Sequence, residues 1–286
     1  MSKLGIVLAA GKGTRLFPCT QYINKHLLNV YNKPMIYYPL ANLIMLGCKK
    51  IIIITNAKDA VMMEKIVKIL KNLNIDAVLK FQSNQSGIPT AMKDAIKNET
   101  FDELYTILGD NIFIGNGFLD SIIENKSKNL IITKRVKNPE QFGVLHKRDG
   151  ISEVIEKPKA YLSDKVVTGF YKFSNDILSI LEIQKPSERG ETEISDVLNH
   201  IMRDKNQIVD ELELNRGTLW LDAGTFDNLS NCNILMSQIS QRQGQDFGCI
   251  EEAAYQTCAI TKSDLKLILK DYPNNSYKEY ILDVIS

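Results

Sequence analysis

Cysteine is scarce in this sequence, and the few cysteines present form no pattern. The five are Cys19, Cys48, Cys232, Cys249 and Cys258. Their number is odd and no two of them form a C-x-x-C pair, which argues against a disulfide framework and against a structural zinc site. The three histidines also lack metal-ligand spacing. The sequence therefore predicts a protein of a reducing compartment, the cytoplasm.

The sequence also lacks an excess of either charge and any long apolar run. Lys and Arg number 35, and Asp and Glu number 34, which argues against a general nucleic-acid or membrane-surface binder. The longest purely aliphatic run, Ile51 to Ile54, is far too short to span a bilayer. Glycines and cations within residues 11–15 interrupt the first apolar run too early for a signal peptide. We expect no nucleic-acid partner and no membrane association, although a local phosphate site needs only a few cations.

The first 125 residues do contain a repeated order of apolar strand, loop and helix. Short apolar runs predict buried strands at residues 4–9, 50–55, 77–81 and 104–108. Helical spacing predicts helices over residues 34–46, 59–73 and 90–96. This alternation predicts an α/β fold with a Rossmann-like, mostly parallel sheet flanked by helices. In such a sheet the loops that follow the strands, at 9–15, 82–91 and 109–111, converge on one crevice.

The pattern changes in the second half of the chain. Residues 144–146 and 151–155 flank Lys147 to Gly150, whose Asp-Gly pair is typical of a β-hairpin turn, and residues 166–173 predict another strand. Helical spacing recurs at 194–202, 229–239, 265–269 and 277–285. Ser276 and Glu279 predict a capping box for the last helix. We expect a main domain over residues 1–240 and a helical C-terminal extension, 241–286, packed on it.

The loop after the first strand has the composition of a phosphate-binding turn. Gly11 and Gly13 free the backbone to turn sharply and to present N–H groups to an anion, and Lys12 and Arg15 add positive charge. Glycine is absent at residue 6, which excludes a P-loop, and at residue 16, which excludes the dinucleotide fingerprint. The alternative is a tight turn between a strand and a helix, with solvated cations.

Two acidic residues from distant segments are candidate metal ligands. Asp110 ends a predicted strand, where the alternative is a helix N-cap, and Asp222 lies in Leu-Asp-Ala-Gly-Thr at 221–225. Two carboxylates at strand ends could share a Mg²⁺ ion that bridges phosphate oxygens.

Taken together, these motifs resemble the sugar-phosphate nucleotidyltransferases. The match includes A-A-G-x-G-T-R-L at 9–16, Asn24-Lys-His-Leu-Leu28, Lys33-Pro-Met35 and G-D-N-I-F at 109–113, and similarity extends over nearly the whole chain. The resemblance implies that Arg15 and Lys25 act in catalysis, and that Asp110 and Asp222 hold the metal. The expected nucleotide-binding residues are Leu8, Ala10, Gly11, Gly13, Thr14, Gln82, Gly87 and Asp110.

The resemblance also implies a sugar-binding part built around the β-hairpin. In Glu156-Lys157-Pro158, Lys157 would contact the sugar phosphate and Glu156 a sugar hydroxyl; the alternative for Lys157 is a surface cation. Segments that match the sugar pocket contain Gly143 and Thr168. The block R-G-E-T-E-I-S-D at 189–196 would bring Arg189 to a phosphate, and its alternative is a loop that caps a helix.

The loop after the third strand is expected to recognise the base. The side-chain amide of Gln82 can donate to a base carbonyl and accept from the adjacent N–H, which suits thymine or uracil; an ordinary polar loop residue is the alternative. Residues 87–91, Gly-Ile-Pro-Thr-Ala, depart from the usual family sequence, since Pro89 removes a backbone donor and Thr90 is shorter than the usual Gln. Phe226 also stands where the family often has His.

The activity implied by the resemblance is transfer of a nucleotidyl group from a nucleoside triphosphate to a sugar 1-phosphate, with release of pyrophosphate. We expect dTTP and glucose 1-phosphate as substrates. Another pair, such as UTP or an amino- or deoxy-sugar 1-phosphate, is one alternative, and a non-catalytic regulator that binds a nucleotide sugar is another. The resemblance further implies a homo-oligomer, a tetramer or a dimer, whose C-terminal helices help build an inhibitory nucleotide-sugar site.

Overall fold

The computed structural model describes residues 1–82, 87–115, 117–148, 150–204 and 207–286. Its strands are β1 (Lys3–Leu8), β2 (Asn29–Val30), β3 (Lys33–Pro34), β4 (Lys50–Thr55), β5 (Asp76–Phe81), β6 (Glu103–Leu108), β7 (Asn111–Ile114), β8 (Asn129–Arg135), β9 (Gly143–Arg148), β10 (Ile151–Glu156), β11 (Lys165–Ser174), β12 (Val209–Glu213) and β13 (Leu219–Asp222). Its α-helices are α1 (Tyr37–Met45), α2 (Ala60–Asn72), α3 (Ile88–Ile96), α4 (Phe118–Glu124), α5 (Ile177–Glu182), α6 (Ile194–Arg203), α7 (Phe226–Gln243), α8 (Ile250–Gln256), α9 (Lys262–Ile268) and α10 (Ser276–Val284).

A mixed sheet forms the centre of the fold. Along one path its strands follow the order β10-β9-β11-β6-β1-β4-β5. Outside this path, β8 also pairs with β11, and β12 pairs with β8. The first four strands of this sheet in the chain, β1, β4, β5 and β6, are parallel to one another. β11 is antiparallel to β6, β8 and β9. The predicted α/β fold with a mostly parallel sheet flanked by helices is therefore confirmed.

Helices cover both faces of the sheet, and successive side chains of a strand point alternately to the two faces. In β4, Ile51 and Ile53 join the apolar core that contains α1 and α2, whereas Ile52 and Ile54 join the core that contains α3 and α6. All four isoleucines are buried. A continuous aliphatic run thus forms a central strand, as expected for a parallel sheet covered on both sides.

The sheet changes its direction of growth at β1. The chain adds β4 and β5 on one side of β1 and then returns to place β6 on the other side. At such a switch point the loops that follow the two neighbouring strands separate and leave a crevice at their carboxyl ends. Residues 9–15 follow β1 and residues 109–111 follow β6, so the fold brings the glycine-rich loop next to Asp110.

Helices from the C-terminal segment pack on the α1 and α2 side of this sheet. Ile250, Ala254, Leu265 and Ile281 belong to the same apolar core as the sheet residues on that side. The buried carboxylate of Glu251 accepts hydrogen bonds from two tyrosine hydroxyls of the same segment. The division at residues 240 and 241 stays a prediction.

Several local features differ from expectation. The predicted cap of the last helix was wrong by one residue, because the side chain of Asn275 rather than Ser276 accepts from the Lys278 N–H. The predicted hairpin forms from β9 and β10, while Asp149 of its predicted turn lies outside the described residues. No sequence-based prediction covered strands β2, β3, β7, β8, β12 and β13 or helices α4, α5 and α8. No helix of the described residues is long and apolar enough to cross a membrane.

Candidate active site

A cavity of about 360 Å³ opens at the carboxyl ends of β1, β5 and β6. It is lined by Leu8, Ala10, Gly11, Lys12, Gly13, Thr14, Lys25, His26, Gln82, Gly87, Ile88, Ala91, Leu108, Asp110 and Glu191. All eight predicted nucleotide-binding residues are in this set, together with Lys25. The three loops therefore meet in one cavity, as the sheet topology predicts, and the contacts of these residues with a nucleotide stay a prediction.

The glycine-rich loop is tightest at Gly13. Its φ angle is +63°, and a β-carbon there would lie 2.8 Å from Thr20 Cγ2 and 3.0 Å from Lys25 Cβ. The hydroxyl of Thr20 donates to the carbonyl of Gly13 at 2.9 Å. This left-handed backbone and close approach both favour glycine. The loop consequently packs directly against the stem of Lys25.

Lys25 and Asp110 form an ion pair in the floor of the cavity. Lys25 Nζ lies 2.5 Å from Asp110 Oδ2, and Asn111 Nδ2 donates to Asp110 Oδ1 at 3.1 Å. Burial by itself would raise the pKa of Asp110, but the charge of Lys25 and the other favourable contacts of this carboxylate together outweigh burial and hold this pKa below its usual range. Asp110 is therefore an ionised carboxylate throughout the neutral range.

His26 lies beside this pair and is fully buried. Burial, assisted by the positive charge of Lys25, lowers the pKa of His26 to about 3. Its imidazole is neutral at neutral pH and brings no charge to the cavity.

Asp222 lies close to Asp110 although the two residues are far apart in the sequence. β13 pairs antiparallel with β7, which places Asp222 opposite Asn111, and the Ala223 N–H donates to the Asp110 carbonyl at 2.9 Å. Loss of hydration on burial raises the pKa of Asp222, and the negative charge of Asp110 raises it further. The strand pairing therefore creates the pair of carboxylates that the sequence analysis proposed as metal ligands.

Arg15 lies next to this pair. A β-carbon on Gly224 would lie 2.8 Å from Asp222 Oδ1 and 2.9 Å from Arg15 Nη2. The positive charge of Arg15 partly offsets the effects that raise the pKa of Asp222. The absence of a side chain at Gly224 lets the guanidinium group approach the carboxylate.

The two carboxylates fit a divalent cation. Their mutual repulsion in a buried site is what a cation would relieve. No cluster of three or more His, Cys, Asp or Glu side chains within the described ranges is arranged to hold a metal. Hard cations such as Mg²⁺ often take one or two carboxylates and complete their shell with water and substrate phosphates. Asp110 and Asp222 would supply part of such a shell, and phosphate oxygens would complete it.

The predicted sugar-side residues form a second group around Glu156. Arg189 Nη1 lies 3.7 Å from Glu156 Oε1 and 3.4 Å from Glu193 Oε1, and Lys157 Nζ lies 3.7 Å from Glu156 Oε1. Burial raises the pKa of Glu156, and the neighbouring charges of Lys157 and Arg189 lower it in part. A β-carbon on Gly143 would lie 3.3 Å from Glu156 Oε2. Four of the five predicted sugar-side residues are therefore in one place.

Thr168, the fifth, is buried in β11, and its hydroxyl donates to the Ile132 carbonyl at 2.9 Å. Its hydroxyl proton is therefore already engaged within the sheet.

Lys157 has an unusual backbone conformation for a residue with a side chain. Its φ angle is +45°, and its N–H donates to the Phe142 carbonyl at 3.0 Å. Such a conformation is costly for a non-glycine residue and often occurs at functional sites.

Sequence reasoning missed three residues of this region. Asn24 donates a hydrogen bond to the Ala9 carbonyl at the start of the glycine-rich loop, Glu191 lines the cavity, and Thr192 bridges to Gly87. Asn24, Glu191 and Thr192 each stand within a motif that the sequence analysis quoted, but none of them had a predicted role. The contact of Thr192 with Gly87 joins segments more than 100 residues apart and had no local signal.

Comparison with known proteins gives a consistent result. The sequence profile of the nucleotidyl transferase family matches residues 4–238. Enzymes of that family generally use a divalent metal ion. A glucose-1-phosphate thymidylyltransferase of Mycolicibacterium smegmatis is 36% identical over 98% of this chain and 98% of its own. One of Neisseria meningitidis is 33% identical over 98% of this chain and 99% of its own.

Similarity extends to solved structures. A structure from Bacillus anthracis, described as a glucose-1-phosphate thymidylyltransferase in complex with sucrose, has a TM-score of 0.71 and 32% identity, and it covers 82% of this chain and 95% of its own. The family match spans the loops that line the cavity, the carboxylate pair and the Glu156 group. The chain therefore belongs to the nucleotidyl transferase family, and it is an enzyme of that class.

Proposed function

We propose that this enzyme makes a nucleoside-diphosphate sugar and pyrophosphate from a nucleoside triphosphate and a sugar 1-phosphate. The proposed pair is dTTP and α-D-glucose 1-phosphate, and the product is dTDP-glucose. The observation that carries the proposal is the arrangement of one cavity. Its glycine-rich loop and Lys25 lie beside two adjacent carboxylates. The names of the relatives, which are similar over nearly the full chain, support the choice of substrates.

The proposed reaction is an in-line displacement at the α-phosphorus. A phosphate oxygen of the sugar 1-phosphate forms a new P–O bond, and the bond between the α-phosphorus and the bridging oxygen breaks. The electron pair of that bond leaves with pyrophosphate. The attacking phosphate is ionised at neutral pH, so the reaction needs no general base. The protein contributes position and charge neutralisation.

In this proposal Arg15 and Lys25 neutralise the triphosphate as negative charge builds on the departing pyrophosphate. Lys25 is held by Asp110 at 2.5 Å, and Arg15 approaches Asp222 across Gly224. Lys25 is thus pre-oriented by Asp110 and needs little reorganisation when phosphate arrives. Asp110 and Asp222 would hold Mg²⁺, which supplies Lewis-acid neutralisation of phosphate oxygens when bound.

The sugar phosphate is proposed to bind the group around Glu156. Lys157 and Arg189 offer positive charge against the repulsion between two anionic substrates, while Glu156 accepts from a sugar hydroxyl. Both cations lie about half exposed, so they are accessible to a ligand. Gly143 and Thr168 complete the proposed sugar-side set.

Base recognition is assigned to Gln82 and Gly87. The cavity wall also includes Ile88 and Ala91, whose apolar side chains suit the face of a pyrimidine. Pro89 occupies the first turn of α3, where a missing N–H removes no helical hydrogen bond. The departure from the family sequence at this residue is therefore compatible with the fold of the loop.

Pyrophosphate release with a panel of nucleotides and sugar 1-phosphates tests the proposal. The panel crosses dTTP, UTP, CTP and GTP with glucose 1-phosphate and with amino- and deoxy-sugar 1-phosphates, each with Mg²⁺. We expect dTTP with glucose 1-phosphate to give the highest kcat/KM. An equal or higher kcat/KM with UTP would contradict the thymidylyl assignment and would indicate the same reaction on another substrate pair. Tight binding of a nucleotide sugar with no pyrophosphate release from any pair would indicate a regulator.

Quaternary structure and location are further proposals that follow the family resemblance. We propose a homo-oligomer, a tetramer or a dimer, in the cytoplasm. We also propose that residues 1–240 form the nucleotidyltransferase domain and that residues 241–286 serve assembly or regulation. Light scattering of the purified full chain gives the oligomeric state. A monomer at micromolar concentration would contradict the proposed homo-oligomer.

A further inference from the structure

Asn24 connects the glycine-rich loop with the turn that carries Lys25. It is 5% exposed. Its Nδ2 donates to the Ala9 carbonyl at 3.0 Å and to Asp59 Oδ2 at 2.8 Å. Its Oδ1 accepts from the His26 backbone N–H at 2.9 Å and lies 2.8 Å from His26 Nδ1. One side chain thus makes four polar contacts. They join the residue that follows β1, the segment before α2 and the turn after Asn24.

Hydrogen bonds to two successive carbonyl groups fix the direction of the backbone after β1. Asn24 holds the Ala9 carbonyl, and Asn56 Nδ2 holds the next carbonyl, that of Ala10, at 2.7 Å. In a trans peptide the C=O and the following N–H point in opposite directions. The N–H groups of Ala10 and Gly11 therefore point away from the two asparagines. Both residues line the cavity, so the arrangement turns backbone donors rather than carbonyl oxygens toward an anion.

The second pair of contacts fixes the turn that carries Lys25. Asn24 is the N-cap of the single 3-10 turn Lys25–Leu27, and its side chain accepts from the His26 N–H. Because the buried His26 ring is neutral, it can donate its Nδ1–H to the same oxygen. Because Asn24 contacts both the backbone N–H and the ring of His26, the turn is fixed, and so is the backbone position of Lys25. From there its ammonium group reaches Asp110 at 2.5 Å.

We propose that Asn24 is a positioning residue for nucleotidyl transfer, which orients the loop N–H groups and Lys25 through its contacts with Ala9, Asp59 and His26. The inference rests on the proposed function. Asn24 acts through Lys25 and the loop, and it makes no contact with substrate in this role. A displacement of either element by about 1 Å is expected to reduce turnover by on the order of 100-fold.

The test uses an isosteric variant, Asn24→Asp. The Asp retains the oxygen that accepts from His26, but it replaces the donor that faces Ala9 and Asp59 by a second oxygen. We expect kcat with dTTP and glucose 1-phosphate to fall by roughly 100-fold at pH 7.5, in a protein that still unfolds cooperatively. The double variant Asn24→Asp/Asp59→Asn reverses donor and acceptor and restores the contact between residues 24 and 59. It leaves the Ala9 carbonyl without its donor from residue 24.

The double variant separates a structural role from a positioning role. If Asn24 only stabilises the fold, Tm and kcat will both return toward wild type. If it positions the loop, Tm will recover while kcat stays low. The matched control is Asn125, whose Nδ2 donates to Asp210 Oδ2 at 2.7 Å and whose Oδ1 accepts from the N–H of Ser127 at 2.9 Å. Asn125 precedes β8, at the end of the strands that lies away from the cavity, so Asn125→Asp and its Asp210→Asn partner should change Tm and leave kcat unchanged.

The pH profile provides a second measurement that is independent of the double variant. An Asp at residue 24 faces Asp59 in a buried site, and its protonated form regains a donor for Ala9. The ratio of variant to wild-type kcat should therefore rise as the pH falls from 8 to 5.5. A ratio that does not change with pH, or a kcat of Asn24→Asp within threefold of wild type, would overturn the inference. Wild-type protein inactive with every substrate pair would instead contradict the proposed function.

Discussion

Gly87 and Thr192 form a parallel bridge between the loop that lines the nucleotide cavity and the segment that carries Arg189. A β-carbon at residue 87 would lie 2.0 Å from the Thr192 carbonyl oxygen. The hydroxyls of Thr90 and Thr192 lie 3.0 Å apart, which adds a side-chain contact to the bridge. The proposed base-recognition loop and the proposed sugar-phosphate segment are thus joined directly.

Gly87→Ala should therefore separate these two segments. The φ angle of +94° disfavours a side chain, and the contact with Thr192 excludes one without backbone movement. We expect the KM for the nucleotide to rise by about tenfold or more as the loop shifts. Steady-state kinetics measures this, with the nucleotide varied at saturating sugar phosphate.

Gly47→Ala is the matched control for this variant. Gly47 has a similar φ of +82°, but its β-carbon would meet nothing within 4 Å. The free energy of unfolding of Gly47→Ala should fall by about 1 kcal/mol because of backbone strain, and its KM for the nucleotide should not change. Equal kinetic effects of the two variants would contradict the proposed importance of the contact.

Arg15→Ala should lower kcat by roughly a thousandfold, because removal of one group that stabilises developing charge has an effect of this order. Arg15→Lys keeps the charge and loses the planar fork, and we expect an intermediate value. Single-turnover measurements with saturating substrates separate chemistry from binding. A folded Arg15→Ala enzyme with near-normal turnover would exclude the assigned role.

Asp222→Asn should reveal the energetic cost of the carboxylate pair. The folded-state pKa of Asp222 lies above its usual value, so its stabilising contribution is present only at low pH and is lost as the pH rises through that raised pKa. Without metal, the Asn variant should therefore have the higher Tm at pH 7.5, and this gain should shrink as the pH falls toward 4. Differential scanning fluorimetry across this range measures the trend.

The same variant tests the proposed metal site. Mg²⁺ should raise the Tm of the wild type at pH 7.5 in the presence of nucleotide, and Asp222→Asn should reduce that shift. Activity should fall together with the Mg²⁺ response. An unchanged Mg²⁺ response in the variant would count against Asp222 as a ligand.

Tyr277→Phe should destabilise the C-terminal segment without changing turnover. The Tyr277 hydroxyl donates to Glu251 Oε2 at 2.6 Å, and Tyr272 donates to Oε1 at 2.7 Å. Loss of one donor to a buried carboxylate is expected to lower the free energy of unfolding by about 1–3 kcal/mol. Urea denaturation measures the difference. Tyr280→Phe is the comparison, because its partner Glu252 is only partly buried. Water can therefore replace the lost donor, and a smaller loss is expected there.

The sequence predicted much of the fold because its strongest signals are local. The aliphatic run at residues 51–54 can form only a buried element, and the observed β4 has the predicted bounds. The glycines at 11 and 13 likewise indicate a tight loop, and Gly13 adopts a positive φ. Other elements were missed: β13 is only four residues long, which is too short for its apolar residues to show a period.

The candidate site could be predicted only in part, because its remaining contacts cross long stretches of chain. Asp222 was named from its motif, but its approach to Asp110 depends on the pairing of β13 with β7. The role of Asn24 depends on where the Ala9 carbonyl points. The prediction of a capping box at Ser276 failed because Asn275, one residue earlier, offers an equally good acceptor.

By itself the sequence determined that this chain has an α/β fold with a mostly parallel sheet and a glycine-rich loop after its first strand. Hydrophobic periodicity and glycine content act over a few residues, so they can be recognised without coordinates. Only the tertiary structure decided which distant groups meet, such as Asp110 with Asp222, Gly87 with Thr192, and Asn24 with Ala9 and Asp59. These contacts depend on strand order and on close packing of side chains, and neither is encoded in the spacing of any short segment.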